Sequence, residues 1–381
     1  MTTSLELPDP STIPLRSPHD VLAAVPYRLG FRPTESVVLA CTTAHGLLGL
    51  VARTGLDDLR GPGAAAGART LARAVAEARP ARCVLALYTA DGVAAAADVL
   101  DVVLGAVEPL VDVDAWLVTP EGYRGLGCED PTCCPDPGHP LTALDSSEVG
   151  TAHVLAGHVV ASSAREAYGT PRAADEPRNL AGRAARRSEA ACARAADDAD
   201  RERWRDDAVA TWRRALRCVD LESGPVGAAP LGPALLGKVG AALADRVVRD
   251  VALLTLLPGG EEAVRATTGA DGREQADDAT ARAMGRVIDP EVAVAPDPEA
   301  LARARAVLEQ VDAHVPQRLR APGLTLLAFL AWWAGDGPRA SFRVTEALEV
   351  DEGYRLARLV HCVVSSALPP GWIRTGGGRA H

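Results

Sequence analysis

Apolar residues are spaced in two different ways along this chain, and the change falls near residue 165. Before it, helical spacing alternates with short continuous apolar runs; after it, only helical spacing remains. Ser17-Pro18-His19-Asp20 reads as a helix start, with Ser17 as N-cap, Pro18 in the first helical position and Asp20 placed to bond back. Val21, Leu22, Val25 and Leu29 follow on one face, and Gly30 is placed to end the helix. Apolar runs at 36–41 and 47–52 predict a hairpin across residues 42–46. A helix at 64–78, a strand at 82–88, a helix at 93–107 and a strand at 111–118 follow. Strands alternating with helices predict parallel pairing through crossovers, within an α/β domain built on a mixed sheet.

Helical spacing then covers 148–168, 182–221, 232–257, 275–287, 298–314 and 323–368, the last with one break. Breakers such as Glu176-Pro177, Ser223-Gly224-Pro225, Pro258-Gly259-Gly260 and Pro296-Asp297-Pro298 separate them. The expected layout is an α/β domain at 1–169, a linker at 170–181, an all-helical domain at 182–368 and a flexible tail at 369–381. Near the end, Leu324, Leu327 and Ala328, the turn Gly335-Asp336, then Ala340, Val344, Ala347 and Leu348 stand at tetratricopeptide spacing. One such repeat predicts a helical hairpin. It either closes the domain or offers a concave surface to a protein partner.

Composition narrows the function. Hydrophobic residues at 48% are ample for two cores, and a formal net charge of −10 argues against a nucleic-acid binder, which needs a basic face. The single lysine, Lys238, is the only candidate for Schiff-base chemistry. The first residues show no signal-peptide pattern and no run reaches about 18 apolar residues, so a cytoplasmic protein without membrane spans is expected. In that reducing setting the eight cysteines are expected as buried thiols, metal ligands or redox groups rather than structural disulfides.

Reactive groups concentrate in one place. Cys128-Glu-Asp-Pro-Thr-Cys133-Cys134-Pro-Asp-Pro-Gly-His139-Pro holds three thiols, an imidazole and four prolines, and can be neither helix nor strand. As a zinc site the ligands are Cys128, Cys133, Cys134 and His139. The C-x4-CC-x4-H spacing is unusual for zinc, because adjacent cysteines project in different directions. As a redox site Cys128 pairs with Cys133 or Cys134, and Arg124 and His139 are the nearest groups in sequence able to favour a thiolate. The competing reading is a stiff loop whose small cysteine side chains pack on the sheet. Tyr123 and Arg124 belong to the same candidate centre, at 123–141.

Other signals are weaker. Gly232 to Val239 nearly matches a phosphate-binding loop, but Val239 replaces the Ser or Thr that would hold magnesium. His153 and His158 stand about 140° apart on a continuous helix, too far around the axis to share a ligand. The arginines between Arg183 and Arg217 alternate with acidic residues, the pattern of a solvated, ion-paired face. Ser36 lacks an identifiable His or Asp partner, so no catalytic set assembles.

Two segments also resemble a known family. Leu15 through Leu39, containing Pro26-Tyr27-Arg28-Leu29-Gly30-Phe31-Arg32-Pro33 and Ser36, and the loop from Tyr123-Arg124 through Cys128, Cys133-Cys134-Pro135, Gly138 and Pro140-Leu141 are similar to the actinobacterial domain of unknown function 4192. The resemblance continues through Arg249-Asp250 and Ala331 to Asp336. It implies a bacterial cytoplasmic protein with no assigned activity and supplies no catalytic residues. The expected function is therefore binding, scaffolding or regulation rather than catalysis, with a thiol-redox or zinc-dependent site at the loop as the alternative.

Overall fold

The capping signals around Ser17 are realised in the computed structural model, which describes residues 10–221, 230–268 and 273–375. Helix α1 (Pro18–Leu29) begins with the Ser17 hydroxyl accepting from the Asp20 amide and the Asp20 carboxylate accepting from the Ser17 amide; it ends at Gly30, φ 74°. The chain forms two compact units, Met1–Ala167 and Tyr168–His381.

The first unit is built on a five-stranded mixed sheet in the order β2-β1-β3-β4-β5. Its strands are β1 (Ser36–Thr42), β2 (Leu48–Gly55), β3 (Arg82–Tyr88), β4 (Val113–Val118) and β5 (Tyr123–Gly125). Helices α2 (Ala64–Ala78) and α3 (Ala97–Val107) cover one face, where Leu71, Val75, Val99 and Val103 meet Val37, Leu39, Leu85 and Leu87. Helix α1 packs against β2 and β3. Strand β1 is buried along its whole length, which explains its continuous apolar run. Parallel pairing is narrower than expected: among the described strands, β3 and β4 alone pair that way. Strands β2 and β3 do run in the same direction around α2, but β1 sits between them, antiparallel to both.

The expected helix at 148–168 is broken. After α4 (Thr142–Asp145), helix α5 (Glu148–Leu155) stops before Gly157 at φ 80°, and α6 (Ala164–Tyr168) starts afresh. Between them Ala161 forms a bridge with Phe31, so extended backbone replaces the helix.

The second unit is helical, with no strand among the described residues. It comprises α7 (Asp175–Ala193), α8 (Asp198–Cys218), α9 (Pro233–Leu243), α10 (Arg246–Leu254), α11 (Gly260–Thr268), α12 (Arg273–Ile288), α13 (Pro298–His314), α14 (Arg320–Trp333), α15 (Gly337–Val350), α16 (Arg355–Ser365) and α17 (Gly371–Thr375). Every residue of α14 from Ala321 to Trp333 is buried, as a helix apolar on all sides apart from Thr325 requires; the Thr325 hydroxyl donates to the Ala321 carbonyl. Helix α15 packs on it across a turn where Gly335 has φ 82° and Asp336 caps α15 through the Arg339 amide.

Both boundaries drawn around this unit move. Residues 175–181, expected as linker, are the opening turns of α7, because Pro177 falls in the first turn where its missing N–H leaves no helical bond unmade. Residues 371–375, expected as tail, form α17, and Trp372 Nε1 donates to the Trp333 carbonyl at 2.8 Å. The breaker at 223–225 and residues 376–381 lie outside the described residues. The near phosphate-binding loop opens α9, and Gly237 answers a packing need: a Cβ there would collide with the backbone of Ala181 on α7. No helix among the described residues is long and apolar enough to cross a membrane.

Candidate functional site

Strand β5 ends where the thiol loop begins, and backbone pairing closes the loop at its base. Tyr123 N–H donates to the His139 carbonyl at 2.9 Å and His139 N–H donates to the Tyr123 carbonyl at 2.8 Å. Gly138 makes this approach possible: at φ 144° it sits where a Cβ would lie 2.9 Å from the Tyr123 carbonyl oxygen. Inside the loop the Asp130 carboxylate accepts from the Thr132 amide at 2.8 Å, and the Asp130 carbonyl accepts from the Cys133 and Cys134 amides at 3.1 and 2.7 Å. The backbone therefore coils between Asp130 and Cys134.

That coil overturns the expectation that neighbouring cysteines diverge. Adjacent side chains oppose each other on extended backbone, but on a tight turn they can lean to the same side. Here the sulfur atoms of Cys128, Cys133 and Cys134 all lie within 4.8 Å of one another. Cys134 Sγ also accepts from the Gly125 amide at 3.4 Å, which ties the cluster to β5. The Cys128 thiol is held below its ordinary value, first by a backbone hydrogen bond at Asp130 and then by Cys134 and Cys133. Cys133, the donor to that more acidic neighbour, is pushed up to about 11.

His139 stands outside this group of three. Its Nε2 lies 2.7 Å from the Cys133 carbonyl oxygen. A carbonyl only accepts, so Nε2 carries the proton and is committed to holding the turn. Arg124 has an acidic neighbour within the loop; its guanidinium lies 3.9 Å from the Asp136 carboxylate. Tyr123 is buried beneath the loop, where its hydroxyl meets His19 Nδ1 at 2.8 Å. Trp116 and His139 bring their rings to 5.1 and 5.2 Å from the His19 ring. Burial, then the nearby His139, lowers the His19 pKa, and burial raises that of Tyr123, so both stay neutral at neutral pH. The cluster thus forms an aromatic floor at the base of the thiol loop. His19 was visible in the sequence only as part of a helix cap, and no local signal ties it to a loop 104 residues away.

Two further clusters were missed. Because α5 stops early, the chain turns back and brings His153 Nδ1 to 2.8 Å from His158 Nδ1, with the His153 ring stacked on Tyr27 at 4.4 Å. Cys41 and Cys83 face each other across β1 and β3, sulfur to sulfur at 3.4 Å, fully buried in the sheet. Ser36 is fully buried and, among the described residues, its hydroxyl has no hydrogen-bond partner. The arginines of α8 are partly ion-paired, as at Arg205–Asp245 and Arg213–Glu261, 3.0 and 3.1 Å.

Fold and site together define an α/β unit carrying a proline-stiffened thiol cluster, joined in one chain to an all-helical unit. The chain belongs to the family described as Domain of unknown function (DUF4192), whose model matches residues 18–371 and so takes in the thiol loop and both units. No curated protein and no solved structure matches it.

Proposed function

We propose that this chain binds one zinc ion through Cys128, Cys133 and Cys134, and that the metal locks the 123–141 loop in a binding or regulatory role rather than a catalytic one. The observation that carries this reading is the convergence of three thiols within 4.8 Å in a loop whose backbone is already fixed at both ends. Zinc–thiolate bonds of about 2.3 Å put tetrahedral sulfurs roughly 3.8 Å apart, so small side-chain rotations close the site. The fourth position is left for water or for a ligand brought by a partner, and His139 acts by holding the Cys133 carbonyl. Three thiolates outweigh the ion's charge and blunt its Lewis acidity, which favours a clamp over hydrolytic chemistry. Thiols of this kind stay reduced in the cytoplasm, where zinc rather than disulfide is their usual partner.

Cobalt substitution tests the ligand set. Full-length chain titrated with cobalt(II) is expected to develop thiolate-to-metal charge-transfer absorption that saturates at one ion per chain and disappears on adding zinc. Saturation without thiolate bands, or no saturation, refutes the reading. Zinc affinity should also rise with pH. Cys133, at about 11, enters protonated at neutral pH and must release its proton, while the more acidic Cys128 releases less. Net proton release on zinc binding near pH 7 is therefore expected, measured as buffer-dependent heat in calorimetry.

A further inference from the structure

In the helical unit a small cavity opens where three helix faces meet. Leu301, Arg305 and Glu309 line it from α13, spaced four apart on one stripe. Leu327, Leu330, Ala331 and Ala334 come from α14 and its cap, and Asp336, Arg339 and Arg343 from the turn and α15. Its volume is about 40 Å³, room for roughly three water-sized groups. A carboxylate is a head of that size, one carbon and two oxygens.

The charges around the cavity are unevenly paired, with two carboxylates on Arg343 and, among the described residues, none on Arg305. Arg339 Nε is bound to the Asp336 carboxylate at 2.9 Å and stacks over the Tyr168 ring at 4.9 Å. Arg343, almost wholly buried, pairs with Glu346 at 3.0 Å and Glu309 at 3.7 Å, and donates to the Thr170 hydroxyl at 2.8 Å. Arg305 is half-buried and, among the described residues, has no ion-pair partner. Glu309, four residues on, is turned toward Arg343 instead. Arg305 is thus the lining guanidinium without a carboxylate of its own, in a cavity where Glu309, Asp336, Arg339 and Arg343 are committed to one another or to Glu346 and the other walls are leucine and alanine. A guanidinium presents a planar fork that matches a carboxylate, and the apolar wall suits carbon next to that head.

We infer that this cavity takes a carboxylate carried on a short aliphatic group, with Arg305 as the binding residue and the stripe from Leu327 to Ala334 receiving the aliphatic part. The inference is independent of the zinc reading, since every residue it uses lies in the helical unit. The chemistry has two sources, a free branched acid or the carboxyl end of a polypeptide, and the assay separates them.

Full-length chain is titrated with isovalerate and with N-acetyl-alanyl-leucine, each beside its neutral amide and beside inorganic phosphate, using ligand-observed NMR. Binding of either acid, with the matching amide and phosphate at least about tenfold weaker, supports the inference; a charged hydrogen bond carries about that discrimination. The tighter of the two acids identifies the source. Arg305→Gln should weaken the acid about tenfold or more, while Arg305→Lys should recover part of the loss. A merely structural role would not follow the charge in this way. Absence of binding by both acids at millimolar concentration, equal binding of the amides, preference for phosphate, or affinity unchanged in Arg305→Gln each overturns it.

Discussion

Serine at both Cys133 and Cys134 is expected to abolish stoichiometric zinc binding while leaving the helical unit's unfolding unchanged. Structural zinc sites bind with about 10–16 kcal/mol at neutral pH. Shared over three or four ligands, two lost thiolates remove roughly 6 kcal/mol, about four orders of magnitude in affinity. The substitution removes little volume at surface positions, so the sheet should tolerate it. Competition against a chromophoric chelator measures the affinity. Limited proteolysis measures the consequence: without metal, cleavage should concentrate between Cys128 and His139. An affinity loss of only a few-fold would mean that the thiols are bystanders packed at the sheet edge.

Arg343→Met is expected to destabilise the helical unit by about 3–5 kcal/mol, the range seen when one partner of a buried ion pair is removed. Arg343 and Glu346 lie in a buried network in which Arg320 holds the fully buried Asp312 at 2.7 and 3.1 Å and reaches Glu346 only at 3.9 Å. Without Arg343, Glu346 keeps a single distant cation and loses its hydrogen bond at 3.0 Å. Replacing both, as Arg343→Met with Glu346→Leu, should recover most of the loss, because the uncompensated charge goes with its partner. Burial already raises the Glu346 pKa above the ordinary 4.5. A carboxyl raised in the folded state favours folding fully below its unfolded value, and loses that contribution as pH rises through the folded one. Removing Arg343 raises it further, so the deficit should be smaller at pH 4.5 than at pH 8. Chemical denaturation followed by tryptophan fluorescence reads this directly, since Trp212 and Trp333 sit in that core. A deficit under about 1 kcal/mol would show that water reaches the network.

Local signals in the sequence carried the first helix, the hairpin and the shift from mixed to helical structure. They work because a cap such as Ser17 or a buried run such as Val37 to Cys41 acts on its own few residues. Pairing order was less legible. Residues 82–88 announce a strand, but nothing in them says that β1 will lie between β2 and β3. Pro177 reads as a breaker because proline disfavours helix interiors, and only the position of the first turn shows that it is harmless there. The thiol loop was legible as a concentration of groups, but its geometry was not. Spacing along an extended chain separates Cys133 from Cys134, whereas the Asp130 turn brings them together. His19 and the His153–His158 pair depend on tertiary placement and on where α5 stops, neither of which leaves a periodic trace.

The most direct test of the zinc reading is the native mass of the full-length chain, purified without chelators under reducing conditions. The account predicts one zinc per chain, lost on acidification and regained with zinc at neutral pH, with Cys128, Cys133 and Cys134 protected from alkylation only while the ion is present. A metal-free mass that zinc does not change, or a mass two hydrogens light that reductant restores, would contradict it.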